Sequence, residues 1–185
     1  MYSPRAMAAP NPSASPARAR PIVLVGLMGA GKSTVGRRLA GRLSLPFVDA
    51  DSEIEAAAGM SVSEIFARFG EAYFRDGERR VIARLIDGRP KVIATGGGAF
   101  VNDETRALIL AEATAIWLDA DPRVLAERVK RRDTRPLLSG RDPLPVLRDL
   151  AAVRNPLYAL AHIRVASANA PHETTVAAIL KELRK

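Results

Sequence analysis

Gly26-Leu27-Met28-Gly29-Ala30-Gly31-Lys32-Ser33-Thr34 follows the apolar run at residues 21–25 and leads into a helical pattern. This is the GxxxxGK[ST] spacing of a phosphate-binding loop set between a buried strand and a helix. Glycines at 26, 29 and 31 allow a tight turn, so successive backbone N–H groups point inward at a phosphate chain. Lys32 reaches the outer phosphates and Ser33 offers a hydroxyl to Mg²⁺. The helix starting near Lys32 aims the positive end of its dipole at the same charge. The stretch points to a nucleoside triphosphate.

Working outward, strand and helix alternate from residue 21 onward. Apolar runs at residues 22–25, 46–49, 91–95, 115–118 and 163–166 read as short buried strands with helical segments between them. Crossovers of that length imply a parallel sheet covered by helices. Ser61-Val62-Ser63-Glu64 is a capping box. It opens a short helix with Val62, Ile65, Phe66 and Phe69 on one face, and a longer helix is expected from about 71 to 87. Asp121-Pro122 starts another helix running to about 132, Asp as cap and Pro in the first turn. Further helices are expected at about 146–160 and 172–183. The Pro- and Arg-rich stretch at about 133–145 reads as a lid.

The chain of 185 residues is long enough for one domain with a core, placed at residues 21–185, with the substrate-binding helices at about 51–88. Its 48% hydrophobic and 26% charged residues suit a soluble protein, and no apolar run reaches the ~20 residues of a membrane span. With no cysteine, disulfides and thiolate chemistry are excluded, which suits the cytoplasm. Residues 1–20 are mostly Ala, Pro, Ser and Arg without periodicity and read as a disordered basic tail. The net charge of +8 lies partly in that tail and partly between Arg123 and Arg141. Beside a phosphate-binding loop, the second cluster matches the charge of ATP better than a nucleic-acid track.

Several residues outside the loop carry chemistry. Asp49 and Asp51 stand at the carboxyl end of the second strand, where open parallel sheets place ligands. In an extended segment both would point the same way, one towards Mg²⁺ and its waters, one towards an acceptor hydroxyl. The alternative is that Asp51 or Ser52 caps the next helix. Gly96-Gly97-Gly98 ends the third strand, where close approach of main chain to a ligand accounts for three glycines in a row. Glu71, Phe74, Arg75 and Glu78 share a helix face, a pattern usually solvated. Arg154 precedes Pro156, an interruption of a helical stretch. His162 and His172 are isolated and read as structural, and Asp119 is assigned to helix initiation.

Taken together, these residues resemble the shikimate kinase family across nearly all of residues 21–165. The resemblance rests on the phosphate loop, Asp49-Ala50-Asp51, Phe74-Arg75, the triple glycine, Arg135-Pro136-Leu137-Leu138 and Arg154-x-Pro156-x-Tyr158. It implies a P-loop kinase fold, a three-layer arrangement of five parallel strands with helices on both faces. The implied reaction is transfer of the ATP γ-phosphoryl group to the 3-hydroxyl of shikimate in aromatic amino-acid biosynthesis. By the same resemblance, Gly29, Ala30, Gly31, Lys32, Ser33 and Thr34 hold the nucleotide. Ser33 and, through water, Asp49 hold one Mg²⁺. Asp51 binds ring hydroxyls and accepts the proton, while Arg75 and Arg154 clamp the carboxylate. Gly96, Gly97 and Gly98 line the hydroxyl side, and Phe66 and Phe74 the pocket edges. Arg135 meets the phosphates from the lid and Arg128 lies against adenine. The implied partners are shikimate and ATP, with no nucleic acid and no membrane, for a monomer. Gly77 inside the substrate helix and the nondescript stretch 166–170 depart from the pattern.

Two rival readings remain. A gluconate-type kinase would share the phosphate loop but is not expected to combine the triple glycine with Arg75 and Arg154. A nucleic-acid-binding ATPase would want aromatic residues interleaved with a basic groove, and aromatics are only 5% of the chain.

Overall fold

The computed structural model describes residues 19–131 and 140–185. Its five strands are β1 (Ile22–Val25), β2 (Phe47–Asp49), β3 (Val92–Ala94), β4 (Thr114–Asp119) and β5 (Ile163–Ala166). They form one parallel sheet in the order β2-β3-β1-β4-β5. Every residue of β1 and β3 is buried, as are the first five of β4. Alternate residues of a strand face opposite sides, so helices cover the sheet on both faces. The central strands read as continuous apolar runs for that reason. Ile22, Leu24, Ile93 and Ile116 are fully buried, each contributing about 1.5–3 kcal/mol of apolar burial.

The helices are α1 (Lys32–Leu43), α2 (Ala50–Ala58), α3 (Val62–Leu85), α4 (Asp103–Glu112), α5 (Pro122–Lys130), α6 (Pro143–Tyr158) and α7 (His172–Glu182). The crossover from β1 leads to β2 on one side of the sheet, while that from β3 passes β1 to reach β4 on the other. The crevice that opens at such a switch point is where open α/β sheets bind ligands, and it falls at the glycine-rich loop.

Local chemistry sets the element boundaries. The Ser61 hydroxyl accepts from Glu64 N–H while the Glu64 carboxylate accepts from Ser61 N–H, which completes the expected capping box. The two helices expected after it run on as α3, with their junction at Gly70 (φ 81, ψ 175), where the backbone kinks. Ile65 is buried on the first segment as its spacing requires, but Phe69 is 49% exposed and stacks on Tyr73 instead. Asp121 caps α5, with Pro122 in its first turn. Asp119, expected at that start, instead binds the Arg164 guanidinium across the β4–β5 pair. Asp142 caps α6, so this helix begins at Pro143, three residues before its expected start. Pro156 sits in its last turn without interrupting it.

Candidate active site

The phosphate loop is held in shape by its own chain and by β4. Gly26 has φ +143, and a Cβ there would lie 2.7 Å from the Leu118 carbonyl oxygen, so only glycine fits. The Lys32 ammonium is buried and donates to the Gly26 and Leu27 carbonyl oxygens at 2.7 and 2.9 Å. Gly29, Gly31, Lys32, Ser33 and Thr34 line a cavity of about 430 Å³, within the range of small-molecule clefts. Ala30 is buried behind the loop, and its carbonyl accepts from the Ser167 hydroxyl at 3.0 Å.

Asp49 joins two elements. Its Oδ1 accepts from Ser52 N–H at 3.2 Å and so caps α2, the task that the alternative reading gave to Asp51 or Ser52. Its Oδ2 accepts from the Ser33 hydroxyl at 2.5 Å. Because α2 starts at Ala50, Asp51 lies in a helical first turn, not in an extended segment. Asp49 and Asp51 both reach the cavity through this strand-to-helix turn, not through strand alternation.

A second, smaller cavity of about 60 Å³ is lined by Met28, Asp51, Phe66, Phe74, Arg75, Glu78, Gly96, Gly97, Gly98 and Arg154. It is far smaller than the cavity at the phosphate loop. Asp51 alone among the described residues lines both cavities.

The triple glycine is explained by crowding. None of the three has a left-handed backbone. A Cβ on Gly96 would lie 3.0 Å from both Asp51 Oδ1 and Glu78 Oε2, one on Gly97 3.3 Å from Arg154 Nη1, and one on Gly98 2.5 Å from Arg75 Cζ. The glycines therefore make space first for the protein's own charged side chains. Phe66 and Phe74 pack with ring centroids 4.8 Å apart, and the Arg75 guanidinium lies 5.1 Å from the Phe74 ring centre.

Glu78 corrects the reading of its helix face as solvated, being only 3% exposed. Its Oε1 accepts from Arg75 at 2.9 Å. Burial pushes its carboxyl above the ordinary value, with Arg75 pulling the other way and Asp51 adding to the rise. Glu78 Oε2 and Arg154 Nη1 are buried without a hydrogen-bond partner. Buried polar atoms in that condition need a partner from outside the chain. A carboxylate for Arg154 and a hydroxyl for Glu78 would supply one.

Residues of little sequence character complete the larger cavity. Arg128 donates to the Gly29, Ser167 and Ala168 oxygens, tying α5 to the loop before α7. Asn169, Ala170, Pro171 and His172 line the same cavity, with the His172 ring over Gly31. His172 thus belongs to the site, whereas the His162 ring accepts from Ala115 N–H away from it. Arg135, with most of the expected lid at 133–145, lies outside the described residues, as does nearly all of the tail at 1–20.

Among the described residues no three carboxylates or imidazoles converge on a metal position. The donors on hand, the Ser33 hydroxyl and the Asp49 carboxylate, are hard oxygens. They fit Mg²⁺, which keeps several waters and takes its other ligands from phosphate.

The family model for shikimate kinase matches residues 28–184. A shikimate kinase from Caulobacter vibrioides is 62% identical over 171 residues, covering 92% of this chain and 86% of that protein. Another from Bradyrhizobium diazoefficiens is 58% identical over 166 residues, covering 90% and 80%. The solved structure of shikimate kinase from Acinetobacter baumannii in complex with shikimate superposes with a TM-score of 0.87 at 36% identity, covering 91% of this chain and 94% of that one. A gluconokinase from Sinorhizobium meliloti, at 20% identity and a TM-score of 0.62, shares the fold alone. A phosphate loop beside a small pocket with two arginines is thus matched by sequence over most of its length, and the chain belongs to the shikimate kinase family.

Proposed function

We propose that Asp51 is the point at which this kinase joins its two substrates, ATP in the larger cavity and shikimate in the smaller. The enzyme transfers the γ-phosphoryl group of ATP to the 3-hydroxyl of shikimate, giving shikimate 3-phosphate and ADP. The observation that carries the proposal is that Asp51 lines both cavities. A carboxylate so placed accepts the hydroxyl proton as the hydroxyl oxygen bonds to the γ-phosphorus and the bond to ADP breaks.

Arg75 and Arg154 hold the substrate carboxylate. A forked guanidinium fixes orientation as well as charge, and phosphoryl transfer depends mainly on positioning and charge neutralisation. Phe66 and Phe74 set the ring's plane, and the backbone of Gly96, Gly97 and Gly98 borders its hydroxyls. Lys32 and the amides of Gly29 to Thr34 receive the phosphates, while Arg128 and the 169–172 segment border the nucleotide's other end. Mg²⁺ at Ser33 and Asp49 would neutralise phosphate charge when bound. No helix among the described residues is long and apolar enough to cross a membrane. The proposed working form is a cytoplasmic monomer.

An ADP-release assay on the purified chain tests this reading, with shikimate, gluconate and nucleoside monophosphates offered in turn. Turnover with shikimate alone is expected. Turnover with gluconate or a nucleotide at a comparable rate would overturn it.

A further inference from the structure

Tyr158 closes the Arg154-x-Pro156-x-Tyr158 motif. It stands four residues after Arg154 on α6, so the two side chains are neighbours on one helix face. Both are buried, Tyr158 completely. Its ring packs against Phe100 and Trp117, with centroids 6.3 and 6.0 Å away, which fixes the phenol from the β4 side. Its hydroxyl donates to the Gly97 carbonyl oxygen.

Gly97 is a tight junction. A Cβ there would meet Arg154 Nη1 and Met28 N, each at 3.3 Å, and the Gly26 carbonyl oxygen at 3.8 Å. The residue is therefore wedged between the arginine of the smaller cavity and the start of the phosphate loop. In a planar trans peptide the C=O and the following N–H point in opposite directions. With the Gly97 carbonyl held towards Tyr158, the Gly98 N–H points away from the phenol, and Gly98 lines the smaller cavity.

We propose that Tyr158 is a positioning residue for shikimate, whose hydroxyl sets the orientation of the Gly97–Gly98 peptide and keeps Arg154 at the pocket wall. The proposal deepens the assignment of the smaller cavity to shikimate and rests on it. Without this hydroxyl the peptide is free to rotate about a glycine pair that has no side chain to resist it. The amide donor and the Arg154 contact then lose their fixed positions together. Burial pushes the phenol up to about 12, against the pull of the adjacent guanidinium, so it remains a donor through the neutral range. The charged groups facing it are Arg154 on its own helix and Arg75 and Glu78 from α3.

Steady-state kinetics of Tyr158→Phe, which keeps the ring and removes the hydroxyl, test the proposal. The KM for shikimate should rise about tenfold, the loss of one buried hydrogen bond, with the KM for ATP within about twofold and kcat little changed. A lowered Tm with both KM values at wild type would mean that the hydroxyl serves stability alone, and would overturn it. If the phenylalanine variant fails to fold, a tetrafluorinated tyrosine at 158 keeps the ring and acidifies the phenol strongly enough to titrate near neutrality. The KM for shikimate should then climb with pH across the neutral range while the wild type stays flat, and a flat profile would overturn the proposal. The wild type measured alongside separates the two readings. If it does not use shikimate at all, the cavity assignment is at fault and not the role of Tyr158.

Discussion

Glu78 accepts a hydrogen bond from Arg75 through one carboxylate oxygen while the other is buried without a partner, 3.0 Å from where a Gly96 Cβ would stand. Its carboxyl is raised from 4.5, chiefly by burial. A folded-state pKa above the unfolded one means the native state holds the proton longer. The group's contribution to stability then falls as pH climbs from about 4.5 through the raised value. Urea unfolding of wild type and Glu78→Gln across that window should show wild type losing ground to the variant as pH rises. A difference that grows in favour of wild type would contradict the assignment. The variant should also raise the KM for shikimate several-fold, because Arg75 keeps an acceptor there but loses the opposite charge that holds it.

Gly98 and Gly26 are both crowded, but by different neighbours. A Cβ on Gly98 meets the far end of the Arg75 side chain, which can swing aside. Gly98→Ala should therefore lower the Tm only modestly and raise the KM for shikimate about tenfold, the loss of a charge-assisted contact, as Arg75→Ala should. A Cβ on Gly26 meets the Leu118 backbone at φ +143, and neither can yield. Gly26→Ala should lose about 2 kcal/mol or more of stability by denaturant unfolding. Equal behaviour of the two variants would undo the distinction.

Gly77 lies within α3, and a Cβ there would have nothing within 4 Å. Gly77→Ala should stabilise the fold by about 0.5–1 kcal/mol, the difference in helix propensity. Both KM values should stay at wild type. A change in the KM for shikimate would show that this turn needs glycine's flexibility for function.

The fold was legible because its signals are local. A glycine-rich turn, a capping box and apolar runs of strand length depend on neighbours in sequence, and all five strands stand within a residue or two of their expected places. The triple glycine at 96–98 stood out in the sequence by itself, whereas Arg75 and Arg154, which line the same cavity, were assigned to it only through the family resemblance. The site was less legible where burial decides chemistry. The spacing of Glu71, Arg75 and Glu78 is that of a solvated helix face, and only packing against Gly96 reveals that Glu78 is inside. The 166–170 stretch was nondescript because its main chain does much of the work. Ser167 N–H donates to the Asp119 carbonyl, and the Ala168 carbonyl accepts from Arg128. Backbone atoms leave no mark in a sequence. His172 was passed over for a related reason, since its neighbour in space, Gly31, is remote in the chain.

Asp51→Asn keeps the size of the side chain and removes its capacity to take a proton. The most direct measurement is kcat of this variant beside its Kd values for ADP and for shikimate, both by calorimetry. Turnover should fall about 10²- to 10⁴-fold, the usual contribution of a positioned base, with both Kd values within about threefold of wild type. Retained turnover, or a loss of nucleotide affinity that matches the loss of rate, would contradict the placing of Asp51 between the two substrates.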